Sequence, residues 1–312
     1  MLGLQSKYID MGIVNRIKYD LEGFYRDYTP VALQWQVTRL VNYPKYKLRK
    51  DIIAYLEKME SNDTEKQAIK NFIKGNVGYL FPYSYTKKYN AQSIKVFDDE
   101  SGMKYVLHQN KKMYFPKNWS KRQIQEYYNR LLTEMDENSP HLYETEKFQV
   151  NNGDVLADCG GAEGIFTLTN IDKISKAYIF ECEDYWISVL EKTFEPWKEK
   201  VNVVKKYISD ISTEESITLD DFLKGSKLDF VKADIEGAEI KLLAGAKHTI
   251  RSNSNLRMVL CTYHNVNDGS DINEVLMKEG FQTEFSKGYM IYVYDENIAP
   301  PYLRRGVIRA TK

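Results

Sequence analysis

The spacing of hydrophobic residues changes along this 312-residue chain. Apolar positions recur every three or four residues over 9–24, 48–59 and 64–75, which predicts three amphipathic helices. Two short segments rich in β-branched and aromatic residues follow at 104–108 and 112–115, and the polar residues between them predict a β-hairpin. The first part of the chain is therefore expected to combine helices with a small β-meander.

A capping signal opens the next predicted element. Ser120 followed three residues later by Gln123 is the pattern of a capping box, and it predicts a helix that continues to about Met135. Beyond residue 145 the pattern becomes short apolar runs that alternate with helical periodicity. The apolar runs predicted to be strands are 154–158, 177–182, 201–208, 228–234 and 256–263. The helices predicted between them lie near 163–173, 184–194, 237–250 and 271–279.

Strands that alternate with helices form βαβ units, whose sheets are mostly parallel and covered on both faces. Near the end, the runs FQTEF and YMIYVY flank Ser286-Lys287-Gly288, and so short a turn requires antiparallel strands. We therefore expect an α/β fold in which a parallel sheet carries an antiparallel hairpin at its C-terminal end. The expected division is an N-terminal region at 1–145, for acceptor recognition or self-association, and a ligand-binding domain at 146–312.

Composition limits the class of protein. Lysine plus arginine and aspartate plus glutamate number 44 each, and this zero net charge argues against a globally basic nucleic-acid-binding protein. No apolar run approaches the roughly 18 residues of a membrane span, and the first residues lack the pattern of a signal peptide. The three cysteines, Cys159, Cys182 and Cys261, lack C-x-x-C spacing, so we expect neither a disulfide framework nor a zinc site. The expected location is cytoplasmic.

The first predicted strand ends in a turn suited to a ligand, because ligands bind at the carboxyl ends of strands in such sheets. Asp158 ends the strand, and Gly160, Gly161 and Gly164 follow. A dinucleotide loop needs glycine at position 159, where this chain has cysteine. The Asp158 carboxylate would also repel a pyrophosphate, so the turn favours S-adenosylmethionine, which has an ammonium and a sulfonium group but no phosphate. A plain tight turn is the alternative.

Acidic residues follow the next two predicted strands. Glu181 lies 23 residues after Asp158, where a carboxylate is placed to bind ribose hydroxyls, and Glu183 is the alternative. Asp210, beside Ser209, is a candidate partner for the exocyclic amine of adenine. The alternative for Asp210 is a loop aspartate that bonds its own backbone.

The fourth and fifth strand ends carry the candidate catalytic residues. Asp234, Glu236 and Glu239 lie close together, and such carboxylates repel unless a cation, a helix N-terminus or a proton relieves them. His264 follows the fifth strand and is the candidate general base, with Asp234 orienting the imidazole or the acceptor. A structural role is the alternative for His264. Glu236 and Tyr263 are expected to contact the substrate.

The order of these motifs resembles the FkbM-type methyltransferases over roughly 137–295. The resemblance implies a class I methyltransferase fold, S-adenosylmethionine as cofactor and O-methylation. The motifs are D-x-G-G-A-E-G at 158–164, F-E at 180–181, T-L-D-D-F at 218–222, D-F-V-K-A-D-I-E-G-A-E at 229–239 and Y-H at 263–264. The residues predicted to bind the cofactor are Asp158, Gly160, Gly161, Glu163, Gly164, Glu181, Cys182, Ser209, Asp210 and Asp234.

A lead-in segment at 137–143 also resembles part of this family. Ser139-Pro140 is a turn signal, and a segment just before the first strand is positioned to fold over the cleft. His141 is therefore a candidate to line the substrate site. The alternative is a boundary turn between domains. Cys182 departs from the family, which commonly has proline after the acidic residue.

The predicted function is methyl transfer from S-adenosylmethionine to a hydroxyl of a sugar, glycan or related metabolite, by in-line displacement. An NAD(P)-dependent oxidoreductase and a non-catalytic interaction module are the alternatives. No nucleic-acid partner and no metal are expected. A metal site of Asp234, Glu236 and His264 ranks low, because imidazole suits magnesium and manganese poorly. The acceptor's identity and a homo-oligomer formed through the N-terminal region stay open.

Overall fold

The computed structural model describes most of the chain. The helix predicted over 9–24 lies outside the described residues. The described ranges are 43–58, 63–75, 80–295 and 298–312.

Contacts within the chain divide it into two compact units. The smaller unit comprises Met1–Asn62 and Ile73–Gly78, and the larger comprises Asp63–Phe72 and Tyr79–Lys312. The site described below lies entirely in the larger unit. The domain boundary near residue 145 stays a prediction.

The first elements confirm the sequence pattern. Helices α1 (Tyr43–Lys58) and α2 (Thr64–Gly75) lie where two amphipathic helices are predicted. Strands β1 (Phe97–Asp98), β2 (Lys104–His108) and β3 (Lys111–Phe115) form an antiparallel three-stranded sheet, which includes the predicted hairpin.

The predicted capping box is also present. Helix α3 (Lys121–Glu134) begins after Ser120, whose Oγ accepts a hydrogen bond from the backbone N–H of Gln123 at 3.2 Å. The Gln123 side chain accepts from the backbone N–H of Ser120 at 2.8 Å. Both donors would otherwise lack an intrahelical partner.

The remaining strands are β4 (Val155–Cys159), β5 (Lys176–Glu181), β6 (Val201–Lys205), β7 (Tyr207–Ile208), β8 (Ser216–Ile217), β9 (Phe230–Ala233), β10 (Arg257–Cys261), β11 (Gln282–Phe285), β12 (Met290–Ile291), β13 (Leu303–Arg304) and β14 (Val307–Thr311). The helices are α4 (Ile165–Asn170), α5 (Asp184–Phe194), α6 (Leu219–Leu223), α7 (Glu239–Ala244), α8 (Lys247–Ser252) and α9 (Asp268–Lys278). The predicted strands β4, β5, β6, β9 and β10 alternate with helices, and further strands lie between β6 and β9 and after β10.

Seven of these strands form one sheet in the order β11-β14-β10-β9-β4-β5-β6. The five strands from β10 to β6 are parallel, and β14 is antiparallel to both of its neighbours. The expected α/β fold, with a mostly parallel sheet and antiparallel strands at one edge, is confirmed.

The prediction of which strands pair at that edge was wrong. The FQTEF run forms β11, but β11 pairs with β14 rather than with the YMIYVY run. That run contributes only β12, which pairs with β13 in a separate two-stranded sheet. Residues 307–311 were not predicted as a strand. They form β14, which is largely buried and pairs with β10 on one side and β11 on the other.

The sheet is covered on both faces, because successive side chains point to opposite sides. Leu156 packs in a cluster with residues of α4 and α5, whereas its neighbour Ala157 packs in a second cluster with residues of α6, α7 and α9. The first cluster also includes Phe115 and Ile124. The segment from residue 80 to α3 therefore shares a core with the sheet.

His108, the last residue of β2, packs between α3 and α4. It is buried, its Nδ1 lies 2.9 Å from the Tyr128 hydroxyl, and its Nε2 lies 2.9 Å from the Thr169 hydroxyl. Burial lowers the pKa of His108 to about 4, so it is neutral and joins α3 to α4. His248 is exposed on α8. No helix in the described ranges is both long and apolar enough to cross a membrane.

Candidate active site

The carboxyl ends of β5, β4, β9 and β10 lie side by side, so residues far apart in the sequence meet at one edge. Gly160 follows β4, and the backbone N–H of Asp234 after β9 donates to the carbonyl of Cys159 at 3.1 Å. His264 follows β10 in the next position along this edge. The sheet order thus brings together the predicted cofactor and catalytic residues.

Close packing explains why the turn after β4 is rich in glycine. Gly160 has a φ of +74°, and a Cβ atom there would lie 2.0 Å from the carbonyl oxygen of Asp234. A Cβ atom on Gly161 would lie 2.2 Å from the Ile179 side chain. Neither position tolerates a side chain, whether or not a ligand is bound.

Asp158 faces inward and forms a buried ion pair. Its Oδ1 lies 3.1 Å from Lys232 Nζ, and its Oδ2 accepts a hydrogen bond from the Thr167 hydroxyl at 2.8 Å. Lys232 also donates to the carbonyl of Gly160 at 2.7 Å. Burial opposes the charge on Lys232, but Asp158 and Asp234 outweigh it and raise the pKa of the lysine. The Asp158–Lys232 pair therefore holds the glycine turn in place through the carbonyl of Gly160.

This pairing removes one argument of the sequence analysis. Asp158 was expected to repel a pyrophosphate at the mouth of the site, but its side chain is 1% exposed and is neutralised by Lys232. The carboxylate therefore does not discriminate between a dinucleotide and S-adenosylmethionine. Lys232 itself was missed, although a lysine inside an otherwise apolar strand is a signal of a buried charge pair.

Glu181 closes the glycine turn from the side of β5. Its Oε2 accepts from the backbone N–H of Ala162 at 2.9 Å, and its Oε1 accepts from the N–H groups of Cys182 and Glu183 at 2.7 and 2.9 Å. A carboxylate has about four acceptor sites, so one remains. Glu181, rather than the exposed Glu183, lies against the turn.

Asp234 is the centre of a polar cluster. Its Oδ1 accepts from the Tyr263 hydroxyl at 3.0 Å, and its Oδ2 accepts from the Tyr143 hydroxyl at 3.0 Å. His264 Nε2 lies 3.3 Å from Oδ1, and His141 Nε2 lies 3.6 Å from Oδ2. Burial alone would raise the pKa of Asp234, but the two histidines outweigh it and hold that pKa well below its usual range.

His264 lies between two carboxylates. Its Nδ1 is 3.4 Å from Glu239 Oε1, on the side opposite Asp234. Burial favours the neutral imidazole, but the contacts with Asp234 and Glu239 outweigh it and raise the pKa of His264 to about 10. A general base must be neutral at its working pH. This environment favours a charged imidazole that positions Asp234, and the assignment of His264 as the base stays a prediction.

A protein-family model described as the methyltransferase FkbM domain matches residues 175–285. Residues 175–285 are thus similar to the FkbM methyltransferase domain. The resemblance inferred from the motifs is thereby confirmed. The sheet has the strand order of the class I methyltransferase fold, with the antiparallel strand inserted beside the last parallel one. The match begins after the glycine turn, so it includes Asp234, Tyr263 and His264 but neither the turn nor His141 and Tyr143.

Solved structures give the same kind of likeness at low identity. Methyltransferase FkbM from Methylobacillus flagellatus KT is 13% identical, with a TM-score of 0.45 and alignment of 89% of this chain and 60% of that one. The chain thus spans about 60% of the length of that protein. Magnesium protoporphyrin IX methyltransferase from Synechocystis PCC 6803, solved with bound SAM, is 13% identical (TM-score 0.39, covering 62% and 84%). No curated protein matches the sequence.

The other residues predicted to bind the cofactor or the substrate lie nearer to the surface at this edge of the sheet. Cys182 is half-buried, and Ser209 donates to Asp210 at 3.0 Å on an exposed loop. Glu236 is exposed, with its Oε2 3.8 Å from His264 Nε2 and 3.4 Å from the Tyr292 hydroxyl. The positive φ of Glu236, +54°, is uncommon for a side chain of this size and is typical of functional loops.

Glu163, in the turn before α4, is buried against α3. Its Oε2 accepts a hydrogen bond from the Tyr127 hydroxyl at 2.7 Å. Burial raises the pKa of Glu163 to about 7, although the bond from Tyr127 opposes the shift. Its predicted contact with the cofactor stays a prediction.

Two residues that the sequence did not point to complete the cluster around Asp234. Tyr143 comes from the lead-in segment, and a tyrosine two residues after a histidine gave no signal by itself. Arg304 donates to the carbonyls of Tyr263 and His264 at 2.7 and 2.9 Å and holds the loop after β10. Arg304 is close only because β13 returns to this edge.

Proposed function

We propose that the protein transfers a methyl group from S-adenosylmethionine to a hydroxyl of a sugar, glycan or related metabolite. The observation that carries the proposal is the juxtaposition of a carboxylate-braced glycine turn with the Asp234 cluster on adjacent strand ends of an FkbM domain. The solved methyltransferases from Synechocystis with SAM and from M. capricolum (TrmK, 14% identical, TM-score 0.35, covering 52% and 64%) with S-adenosylhomocysteine name the cofactor class.

The residues at the turn fit this cofactor. Glu181 has an acceptor site left for a ribose hydroxyl, and its other acceptor sites are filled by the turn that would lie under the ligand. Ser209 and Asp210 lie on the exposed loop two strands along, where an adenine amine would be within reach. The set offers hydrogen-bond acceptors, which suit the hydroxyl and ammonium groups of S-adenosylmethionine.

At the other end of the edge, Asp234 would hold the acceptor hydroxyl. When bound, S-adenosylmethionine supplies the methyl group, and the electrons of the broken S–C bond stay on sulfur as the O–C bond forms. The acceptor oxygen becomes positively charged and very acidic as this happens, so a weakly basic carboxylate suffices to take its proton. Asp234 is the proton acceptor in this proposal, and His264 is a positioning residue that fixes its orientation.

Aromatic side chains support a sugar as the acceptor. Ring centroids of Tyr263 and Tyr292 are 5.0 Å apart, and those of Tyr292 and Tyr294 are 5.9 Å apart, so the rings lead outward from Asp234. Tyr294 is 57% exposed. Aromatic faces beside carboxylates such as Glu236 suit the apolar face and hydroxyls of a sugar ring. The tyrosines that carry this argument lie in the C-terminal part rather than in the N-terminal region.

The proposal is tested by binding and by transfer. Glu181→Gln should weaken binding of S-adenosylmethionine about ten- to a hundred-fold in calorimetry, because a charge-assisted hydrogen bond contributes about 1.5–3 kcal/mol. The neighbouring exposed Glu183→Gln is the matched control and should bind within a few-fold of wild type. Asp234→Asn should lower transfer of labelled methyl groups into fractionated cell glycans and metabolites by about 10²–10⁴-fold.

Two results would contradict the proposal. A folded wild-type protein that does not bind S-adenosylmethionine would remove the cofactor assignment. A protein that binds the cofactor but transfers no label to any fraction would instead support the non-catalytic interaction module.

A further inference from the structure

Three potential metal-ligand atoms converge beside Asp234. His141 Nε2 lies 3.6 Å from Asp234 Oδ2 and 3.6 Å from Cys261 Sγ, and all three atoms lie within 4.8 Å of one another. They come from the lead-in segment, the end of β9 and the last residue of β10. His141 and Cys261 are buried, whereas Asp234 is partly exposed, so the cluster opens toward the acceptor side.

The Tyr143 hydroxyl links the three atoms, at 3.0 Å from Asp234 Oδ2, 3.5 Å from His141 Nε2 and 3.9 Å from Cys261 Sγ. At 3.6 Å, the imidazole to carboxylate contact is too long for a good hydrogen bond. Tetrahedral zinc binds nitrogen and oxygen at about 2.0–2.1 Å and sulfur at about 2.3 Å, which places neighbouring ligand atoms about 3.3–3.5 Å apart. An ion bound by the three side chains would therefore take the place of the Tyr143 hydroxyl beside them.

We propose that His141 Nε2, Asp234 Oδ2 and Cys261 Sγ form a site for one divalent transition-metal ion of the zinc class. A mixed nitrogen, oxygen and sulfur set selects such an ion over magnesium. The Cys261 thiolate and the Asp234 carboxylate would balance its two positive charges. The proposal replaces the expectation of no metal, and its ligands differ from the Asp234, Glu236 and His264 set considered in the sequence.

The position of the ion gives it a role, and this part rests on the proposed function. Three protein ligands leave one coordination position open, as in catalytic zinc sites. The hydroxyls of Tyr143 and Tyr263, each 3.0 Å from an Asp234 oxygen, lie beside that position. An acceptor hydroxyl bound there would be easier to deprotonate, and Asp234 Oδ1, the oxygen not assigned to the ion, would accept its proton.

A second group of ligands shares Asp234 and is the competing site. It consists of Asp234, Glu239 and His264, and both Glu239 Oε2 and His264 Nδ1 lack a hydrogen-bond partner. We favour the first group, because His264 presents a different nitrogen to each of the two carboxylates. His141 instead presents the same nitrogen to both of its potential co-ligands.

The test uses the full-length protein, stripped with a chelator and titrated with zinc against a fluorescent zinc indicator. Wild type should bind about one equivalent, and Cys261→Ala and His141→Gln should each weaken binding by at least about a hundred-fold. Cys159→Ala is the matched control, because Cys159 also ends a buried strand but packs on the opposite face of the sheet. Its zinc affinity should equal that of wild type.

Cobalt substitution gives a readout that does not depend on a variant's folding. Cobalt-loaded wild type should show a thiolate-to-cobalt charge-transfer band, and magnesium should not compete for the site. Absence of that band, absence of zinc binding in wild type, or unchanged binding in folded Cys261→Ala would each overturn the proposal. Loss of zinc in Glu239→Gln with retention in Cys261→Ala would also overturn it, because the ion would then belong to the competing site.

Cofactor affinity, measured by calorimetry on the zinc-free wild type, keeps the two proposals separate. Binding of S-adenosylmethionine without any zinc site would overturn the metal proposal alone. A zinc site in a protein that does not bind the cofactor would overturn the proposed function and leave the metal assignment in place.

Discussion

The aspartates at the carboxyl edge of the sheet have two different roles, one structural and one in the site, and only the structure distinguishes them. Asp158 and Asp234 both end strands and read alike in the sequence. Asp158 is buried against Lys232, whereas Asp234 is partly exposed and bonded by two tyrosines. A strand-end carboxylate is therefore a bracing residue or a site residue according to the side to which it points.

The buried ion pair leads to a stability prediction. Lys232→Met leaves the Asp158 charge buried and unpaired, so the free energy of unfolding should fall by about 3–5 kcal/mol. Asp158→Asn combined with Lys232→Met should cost less than the sum of the two single changes. Urea unfolding followed by circular dichroism measures all three. The exposed pair gives the control, since Lys278→Met removes a surface contact with Glu274 and should cost less than about 1 kcal/mol.

Glu163 leads to a prediction of pH dependence. Its folded-state pKa of about 7 lies above the unfolded value of 4.5, so the folded state holds the proton more tightly. Stability from this group is present at low pH and is lost as the pH rises through about 7. Glu163→Gln should remove that loss. The free energy of unfolding of the variant should therefore rise relative to that of wild type between pH 5 and pH 8, by up to about 3 kcal/mol.

The measurement is the free energy of unfolding of both proteins across that range. The exposed Glu199→Gln has the same change in net charge and serves as the control. A difference between wild type and Glu163→Gln that stays constant with pH would contradict the raised pKa.

Among the elements, α3 was the most completely predicted from local sequence, because a capping box is made by residues three apart. Ser120→Ala removes the side-chain acceptor for Gln123, and the free energy of unfolding should fall by about 1 kcal/mol. Ser120→Asp keeps an acceptor at the same position and should remain near wild type. The melting temperatures of the two variants decide the matter, and equal losses would show that the cap does not stabilise α3.

The antiparallel edge shows the opposite case. A short turn between two apolar runs predicted that β11 pairs with the run after it, but β14 lies between β10 and β11. Residues that follow in the chain need not be neighbours in the sheet. The pairing depends on which segment packs best beside β10. The sequences of the two runs alone do not show that a later segment, β14, takes this position.

For the whole molecule, residues 80–135 share a hydrophobic core with the sheet. This shared core determines which N-terminal truncations should still fold. Hydrogen bonds join His108 to Thr169 and Tyr127 to Glu163 across this core. A chain that begins at residue 137 should therefore fail to fold cooperatively, although every predicted cofactor residue lies after it. A chain that begins at residue 63 keeps the larger unit and should retain a cooperative transition and cofactor affinity within a few-fold of wild type.

Thermal unfolding and calorimetry on both truncated chains test this prediction. Cooperative unfolding with wild-type cofactor affinity in the chain from residue 137 would contradict it. That result would instead favour the division near residue 145 that the sequence pattern indicates.

The sequence by itself determined the α/β class, the helices and most strands of the sheet, and the strand-end residues at which the site lies. These follow from periodicity, capping and turn chemistry, which act between residues a few positions apart. The tertiary structure decided which carboxylate is paired with Lys232, which protonation state suits His264, and that His141, Asp234 and Cys261 converge. Those properties depend on burial and on distances between chain segments, and both are fixed only when the strands take their order in the sheet.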